Sequence, residues 1–241
     1  MKKITFLIVS LTVLFIASCT DESGKYSQQL FSDNEISTAL KQCLTYCSDS
    51  ANHHLLVSDN DTYGYYHYNN NVYRLQPSAL TSVFDTLRKY GHSDNVDTFI
   101  YKLNNAASSC SIEVKDYFRS VTSDILFDNP VAILYGFQHA LTDYFRKIYT
   151  YPFITAVASF LPSCFTDHEI PMLWNELLSI YAGYDSQPVN IDLQWQTAQQ
   201  MVIGFLKEME IEEMNIRTQV SHRGSKETTL YRVFATLDIV E

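Results

Sequence analysis

From Ile36 onward, apolar side chains recur every three or four residues along most of the chain. A chain patterned in this way buries one face of each segment against another helix. Ile36, Leu40, Cys43, Leu44 and Cys47 form the first stripe, which predicts a helix from Asn34 to about Ser50 with Ser32 or Asp33 at its cap. Pro77 fits the first turn of a helix carrying Leu80, Val83, Phe84, Leu87 and Tyr90, and Gly91 stands where a left-handed C-terminal cap is wanted. Ser93 is placed to cap the next helix, with Val96, Phe99, Ile100, Leu103, Ala107 and Cys110 on its stripe.

Val114, Phe118, Val121 and Ile125 continue the pattern towards Asp128-Asn129-Pro130, where the residue before proline is pushed out of the helical region. Two segments divided by Gly136 follow. Phe153 to Leu161 is apolar nearly all round, so it is expected at the centre of the bundle, closed by Pro162. Met172–Tyr184 and Gln194–Met214 are two further amphipathic segments; the second places Ala198, Met201, Val202, Phe205, Leu206 and Met209 inward and shows an acidic outer face. Ser225 to Val233 reads as a last short helix. Little sequence is left for a sheet, so the expected class is all-α, a single multi-helix bundle. The pattern breaks only near residues 61–75, a tyrosine- and asparagine-rich stretch expected to form a loop or short hairpin.

The N-terminus reads differently. Lys2 and Lys3 precede an apolar stretch from Ile4 to Ala17, too short to cross a hydrocarbon core of about 30 Å as a stable helix. It ends in Ile16-Ala17-Ser18-Cys19, where a branched apolar residue and two small ones precede a cysteine, the pattern of a lipobox. Residues 1–18 are therefore expected to be a lipoprotein signal peptide, Cys19 the lipidated residue, residues 19–30 a polar tether and 31–241 the helical domain. Acyl chains on Cys19 would make the membrane a partner through the lipid anchor. The expected location is the cell envelope, the outer membrane of a Gram-negative bacterium, with the periplasmic or surface face left open.

Without Lys2 and Lys3, 15 basic and 27 acidic side chains remain, a formal charge of −12. This excess speaks against nucleic acid as a partner. Four cysteines follow Cys19, namely Cys43, Cys47, Cys110 and Cys164, an even number that permits disulfides in an oxidising compartment; their pairing stays open, and free buried thiols are an alternative for Cys43 and Cys47. No C-x-x-C is present, and no metal or other cofactor is expected.

Residue patterns that carry chemistry are sparse. His53, His54, His67, His92, His139, His168 and His222 include neither H-E-x-x-H nor an i, i+4 pair of histidines, and no serine lies in a G-x-S-x-G setting. Glu208, Glu210, Glu212 and Glu213 offer carboxylates for acid/base work only if one is desolvated, and read as a solvated face. No catalytic residue is assigned. The candidate binding residues are Tyr63, Tyr65, Tyr66, Tyr68 and Tyr73, which offer large contact area at low entropic cost, and Asn104, which follows Leu103 on a core-facing helix.

The run from Leu87-Arg88-Lys89-Tyr90-Gly91 through Val96-Asp97-Thr98-Phe99 to Leu103-Asn104-Asn105-Ala106-Ala107 resembles the family called domain of unknown function 4197. The likeness continues through Ile133-Leu134-Tyr135-Gly136, Thr142-Asp143-Tyr144-Phe145, Phe160-Leu161-Pro162, Asn190-Ile191-Asp192-Leu193, Gly204-Phe205, Glu212-Glu213 with Ile216-Arg217, and Arg232-Val233-Phe234, covering about residues 65–234. Asn105 departs from it, standing where arginine is usual. The resemblance implies a helical, secreted or lipid-anchored protein and brings no catalytic residues. The expected function is a helical binding or scaffold module of the cell envelope with an envelope protein as partner; the alternative is an envelope enzyme or small-molecule carrier with a pocket between helices.

Overall fold

Each apolar stripe becomes a helix. The computed structural model describes residues 30–56, 75–185 and 188–239. Among these are nine α-helices: α1 (Asp33–Leu56), α2 (Thr81–Lys89), α3 (Ser93–Ser109), α4 (Ser111–Asp124), α5 (Pro130–Leu134), α6 (Ala140–Asp167), α7 (Ile170–Tyr181), α8 (Leu193–Thr218) and α9 (Thr229–Phe234). Short 3-10 turns cover Ser78–Leu80, Val220–Arg223 and Ala235–Ile239, and no strand occurs among the described residues. The fold is all-α. Asp33–Glu241 forms one unit, while the residues before Asp33 belong to another. Cys19 lies outside the described residues, as do Tyr63, Tyr65, Tyr66, Tyr68 and Tyr73 with the rest of the expected loop or hairpin as far as Arg74.

Helix α8 is the central post, packed most extensively against α1 and α6. Its inward residues Ala198, Met201, Val202, Phe205 and Met209 are fully buried, as the stripe requires. Phe205 meets Phe118 of α4 and Phe153 of α6 at ring-centroid distances of 5.2 and 5.5 Å, and Phe118 meets Phe145 at 4.7 Å. These tilted and edge-on contacts join three helices at separations favoured by ring quadrupoles. A second layer is built from α2, α3 and α7, where Phe99 touches Phe84 at 5.9 Å and Trp174 at 5.6 Å.

The end of α2 is set by Gly91, whose φ of 91° suits a residue without a Cβ. His92 N–H donates to the Leu87 carbonyl and Gly91 N–H to that of Arg88, the two bonds of a Schellman cap. Ser93 opens α3 as its first residue, but the capping position belongs to His92, whose side chain makes no cap hydrogen bond. Side-chain caps occur elsewhere: Asn129 accepts from Ala132 N–H ahead of Pro130, and Asp192 accepts from Trp195 N–H at the start of α8.

Several boundaries differ from the sequence expectation; α1, for one, runs past Ser50 to Leu56. Gly136 does divide two helices, within a break wider than one residue: α5 stops at Leu134 and α6 starts at Ala140. The last helix is shorter, Thr229–Phe234, begun by the Thr228 side chain accepting from Tyr231 N–H. Pro162 does not close the segment before it, because α6 runs through both Pro152 and Pro162 to Asp167. Both prolines lie on the solvent side, where α6 also exposes Tyr151, Thr155 and Ser159. The segment Phe153–Leu161 is therefore buried on one face only, through Phe153, Ile154, Val157 and Leu161. Burial of that face outweighs a local cost of about 3 kcal/mol for each interior proline.

Candidate functional site

The acidic row of α8 is not the solvated face that its spacing suggested. Each glutamate is engaged by a different part of the chain. Glu208 accepts from His54 of α1 at 2.7 Å, Glu210 from Arg146 of α6 at 2.5 Å, and Glu212 faces His222 at 3.0 Å. Glu213 is fully buried: its oxygens accept Leu141 N–H at 2.9 Å, Thr142 N–H at 2.7 Å, the Thr142 hydroxyl at 2.7 Å and Arg217 Nε–H at 2.8 Å. Four charge-assisted hydrogen bonds, two of them from the positive end of α6, are what a carboxylate needs to survive out of water.

The buried cations behave in the complementary way. Arg217 donates Nη1–H to the Leu134 carbonyl at 2.6 Å and Nη2–H to that of Ile133 at 3.0 Å, satisfying the last carbonyls of α5. Arg223, also fully buried, donates to the Ile216 and Arg217 carbonyls at 2.8 Å each, near the end of α8, and forks onto both oxygens of Asp238 at 2.6 and 2.8 Å. Gly224 has a φ of 70° and lies so close to the Tyr46 hydroxyl that a Cβ would stand 2.7 Å from it. This backbone turn leads away from Arg223 against α1.

Directly outside this buried layer lies a cluster of four charged or titratable side chains. His139 Nδ1 and Asp143 Oδ2 share a hydrogen bond of 2.6 Å one turn apart at the start of α6, and Arg146 reaches Asp143 and Glu210 at 2.5 Å each. One ligand atom from each of His139, Asp143 and Glu210 lies within 4.8 Å of the others, a set with the donor types of a divalent-cation site. A pattern of paired histidines at helical spacing does not capture a histidine paired with an aspartate. His139-x-x-x-Asp143 is the signal that was present; Glu210 becomes visible only through the packing of α6 on α8.

Asn104 is fully buried on α3 and spent on the backbone: Oδ1 accepts Leu75 N–H at 2.8 Å, while Nδ2 donates to the Leu75 carbonyl at 3.0 Å and to that of Ile100 at 2.7 Å. It fixes Leu75, which leads towards α2. Cys110 and Cys164 form a disulfide that ties the end of α3 to the last turns of α6, whereas Cys43 and Cys47 are buried free thiols with sulfurs 3.9 Å apart. Burial pushes the Cys47 thiol well above its usual range, with the neighbouring Cys43 adding to the effect. A shallow cleft of about 200 Å³ between α3 and α7 is lined by Asp94, Asn95, Thr98, Leu173, Glu176 and Leu177.

Neither the curated proteins nor the solved structures include a match to this chain. The family model described as "Protein of unknown function (DUF4197)" matches residues 30–235, which span every helix from α1 to α9 and all the side chains of the charged network except Asp238. The chain belongs to the DUF4197 family.

Proposed function

We propose that this protein is an exported lipoprotein whose helical body, held at the membrane by acyl chains on Cys19, serves as a binding or scaffold module of the cell envelope. The observation that carries the reading is the run from Lys2 through the apolar stretch to Ile16-Ala17-Ser18-Cys19. The Cys110–Cys164 disulfide supports it independently, because structural disulfides persist in oxidising compartments and are rare in the cytosol. Several acyl chains in one leaflet, at about 0.8 kcal/mol per buried CH2, give stable anchoring where a single chain would bind only reversibly. The formal charge of −12 on the remaining chain keeps an anionic membrane surface unattractive to the body itself.

Expression of the full-length chain and a Cys19→Ala variant in a bacterial host, with a clickable palmitate analogue and membrane fractionation, tests the anchor. Wild type should be labelled and membrane-bound and the variant neither. Equal labelling and equal distribution of the two would sink the reading. Crosslinking in the labelled membranes should then capture a reproducible envelope protein; a body that crosslinks to nothing reproducibly counts against a binding or scaffold role.

A further inference from the structure

We propose that His139, Asp143 and Glu210 form a binding site for a divalent transition-metal ion of the zinc class, and that Arg146 is the resident cation which the metal displaces. The three ligand atoms lie within 4.8 Å of one another. Bonds of about 2.0–2.2 Å to a shared ion bring two ligand atoms to at most about 4.4 Å apart, so closure requires a few tenths of an ångström of side-chain movement. His139 and Asp143 already touch at 2.6 Å across one helical turn, and the ion would take the place of the proton they share. Glu210 comes from α8, the helix most extensively packed on α6.

The ligand-bearing turn is held rigid from beneath. Glu213, not itself in the site, accepts the N–H groups of Leu141 and Thr142, which lie between His139 at the cap of α6 and Asp143 in its first turn. Such support of a ligand-bearing element by an outer group is what preorganises metal sites. With the imidazole neutral, two carboxylates face one guanidinium, so the cluster carries an excess negative charge. Arg146 is bound at 2.5 Å to both carboxylates and its side chain is about one-third exposed, which leaves its long stem free to swing into solvent when a doubly charged ion replaces it. One nitrogen and two carboxylate donors suit zinc or manganese better than calcium, which takes oxygen donors alone, or monovalent copper, which takes soft sulfur. Three protein ligands leave a coordination position for water. The other histidine–glutamate contacts, His54–Glu208 and His222–Glu212, offer two donors each.

Isothermal titration of the full-length chain in detergent micelles with zinc chloride should show one saturable site per chain. His139→Ala and Glu210→Gln should each weaken it by about tenfold or more, the scale on which even outer-shell losses act. Arg146→Met removes the competing cation and should bind zinc at least as tightly as wild type. Circular dichroism of each variant separates loss of a ligand from loss of fold, since the altered side chains are not in the core. Absence of saturable zinc binding, or binding unchanged in both ligand variants, overturns the proposal, as does weaker binding by folded Arg146→Met. Cys19→Ala should bind zinc like wild type, so this test and that of the lipid anchor fail separately.

Discussion

Glu213 and Arg217 lie one turn apart on α8, and the 2.8 Å bond between them links the start of one helix to the end of another. Glu213 holds the first N–H groups of α6, Arg217 the last carbonyls of α5. The segment between those helices, residues 135–139, is therefore fixed at both ends by α8. The signs match the helix dipoles, with the anion at an N-terminus and the cation at a C-terminus.

Removing one partner leaves the other charge buried and uncompensated. Glu213→Ala should cost about 3–5 kcal/mol, because two backbone N–H groups of α6 are orphaned along with the Arg217 guanidinium. Arg217→Met should be destabilising as well. The double variant should cost less than the two together by at least about 1 kcal/mol, since it leaves no unpaired ion. Urea unfolding of all four proteins closes the cycle; additivity would show that the pair is not coupled.

Asn104→Ala removes both side-chain contacts to the Leu75 backbone and leaves its N–H and carbonyl without this partner. The expected loss is about 2–4 kcal/mol, from orphaned groups costing about 1–3 kcal/mol each. Hydrogen exchange offers a local readout: the Leu75 amide should lose protection while amides within α8 keep theirs. Equal protection at Leu75 in both proteins would mean that the amide is held by something else.

These two clusters mark where sequence reading succeeds and where it stops. Ile36, Leu40, Leu44, Val96, Phe99 and Ile100 are legible because a buried stripe is a local pattern, and each is buried as its spacing implies. The cap at Gly91 is legible for the same reason. Glu208 and Glu213 are not, since the same spacing serves a solvated face, and their partners His54 and Leu141 lie 154 and 72 residues away along the chain. Pro162 misleads because its rule is local, whereas the burial of Val157 and Leu161 that carries α6 onward is tertiary. The Cys110–Cys164 pairing likewise depends on where α3 meets α6, a relation between segments 54 residues apart.

That disulfide closes a 54-residue loop, for which chain entropy gives about 4 kcal/mol of stabilisation. Cys110→Ala with Cys164→Ala should lower the melting temperature to that of wild type in reductant, and reductant should not affect the variant further. Cys43 and Cys47 should stay unlabelled by an alkylating reagent at pH 8 in the folded chain and react in denaturant, because both are buried and burial holds the Cys47 thiol in its neutral form. Peptide mapping that found Cys43 joined to Cys47 would contradict the structure.

Asp238 supplies the pH dependence that is simplest to isolate. Its hydrogen bonds from Arg223 hold its carboxyl below the ordinary aspartate range, with burial opposing them and the Arg223 charge adding to them. A carboxyl that ionises more readily in the folded chain stabilises the fold in its charged form. The contribution is therefore fully present above the unfolded value near 3.9 and disappears as pH falls through the lower folded value. Asp238→Asn should cost about 1–2 kcal/mol at neutral pH, less than the loss of a fully buried pair, because the Asp238 side chain is 46% exposed and water screens it although Arg223 is fully buried. The stability gap between wild type and variant should be level from about pH 5 to 8 and narrow below about pH 4 as the wild-type carboxyl takes up its proton. Chemical denaturation across that range measures it. A gap unchanged at pH 2.5 would assign the loss to packing or to the uncharged hydrogen bonds, and would remove the ion pair as the link between the final turn and α8.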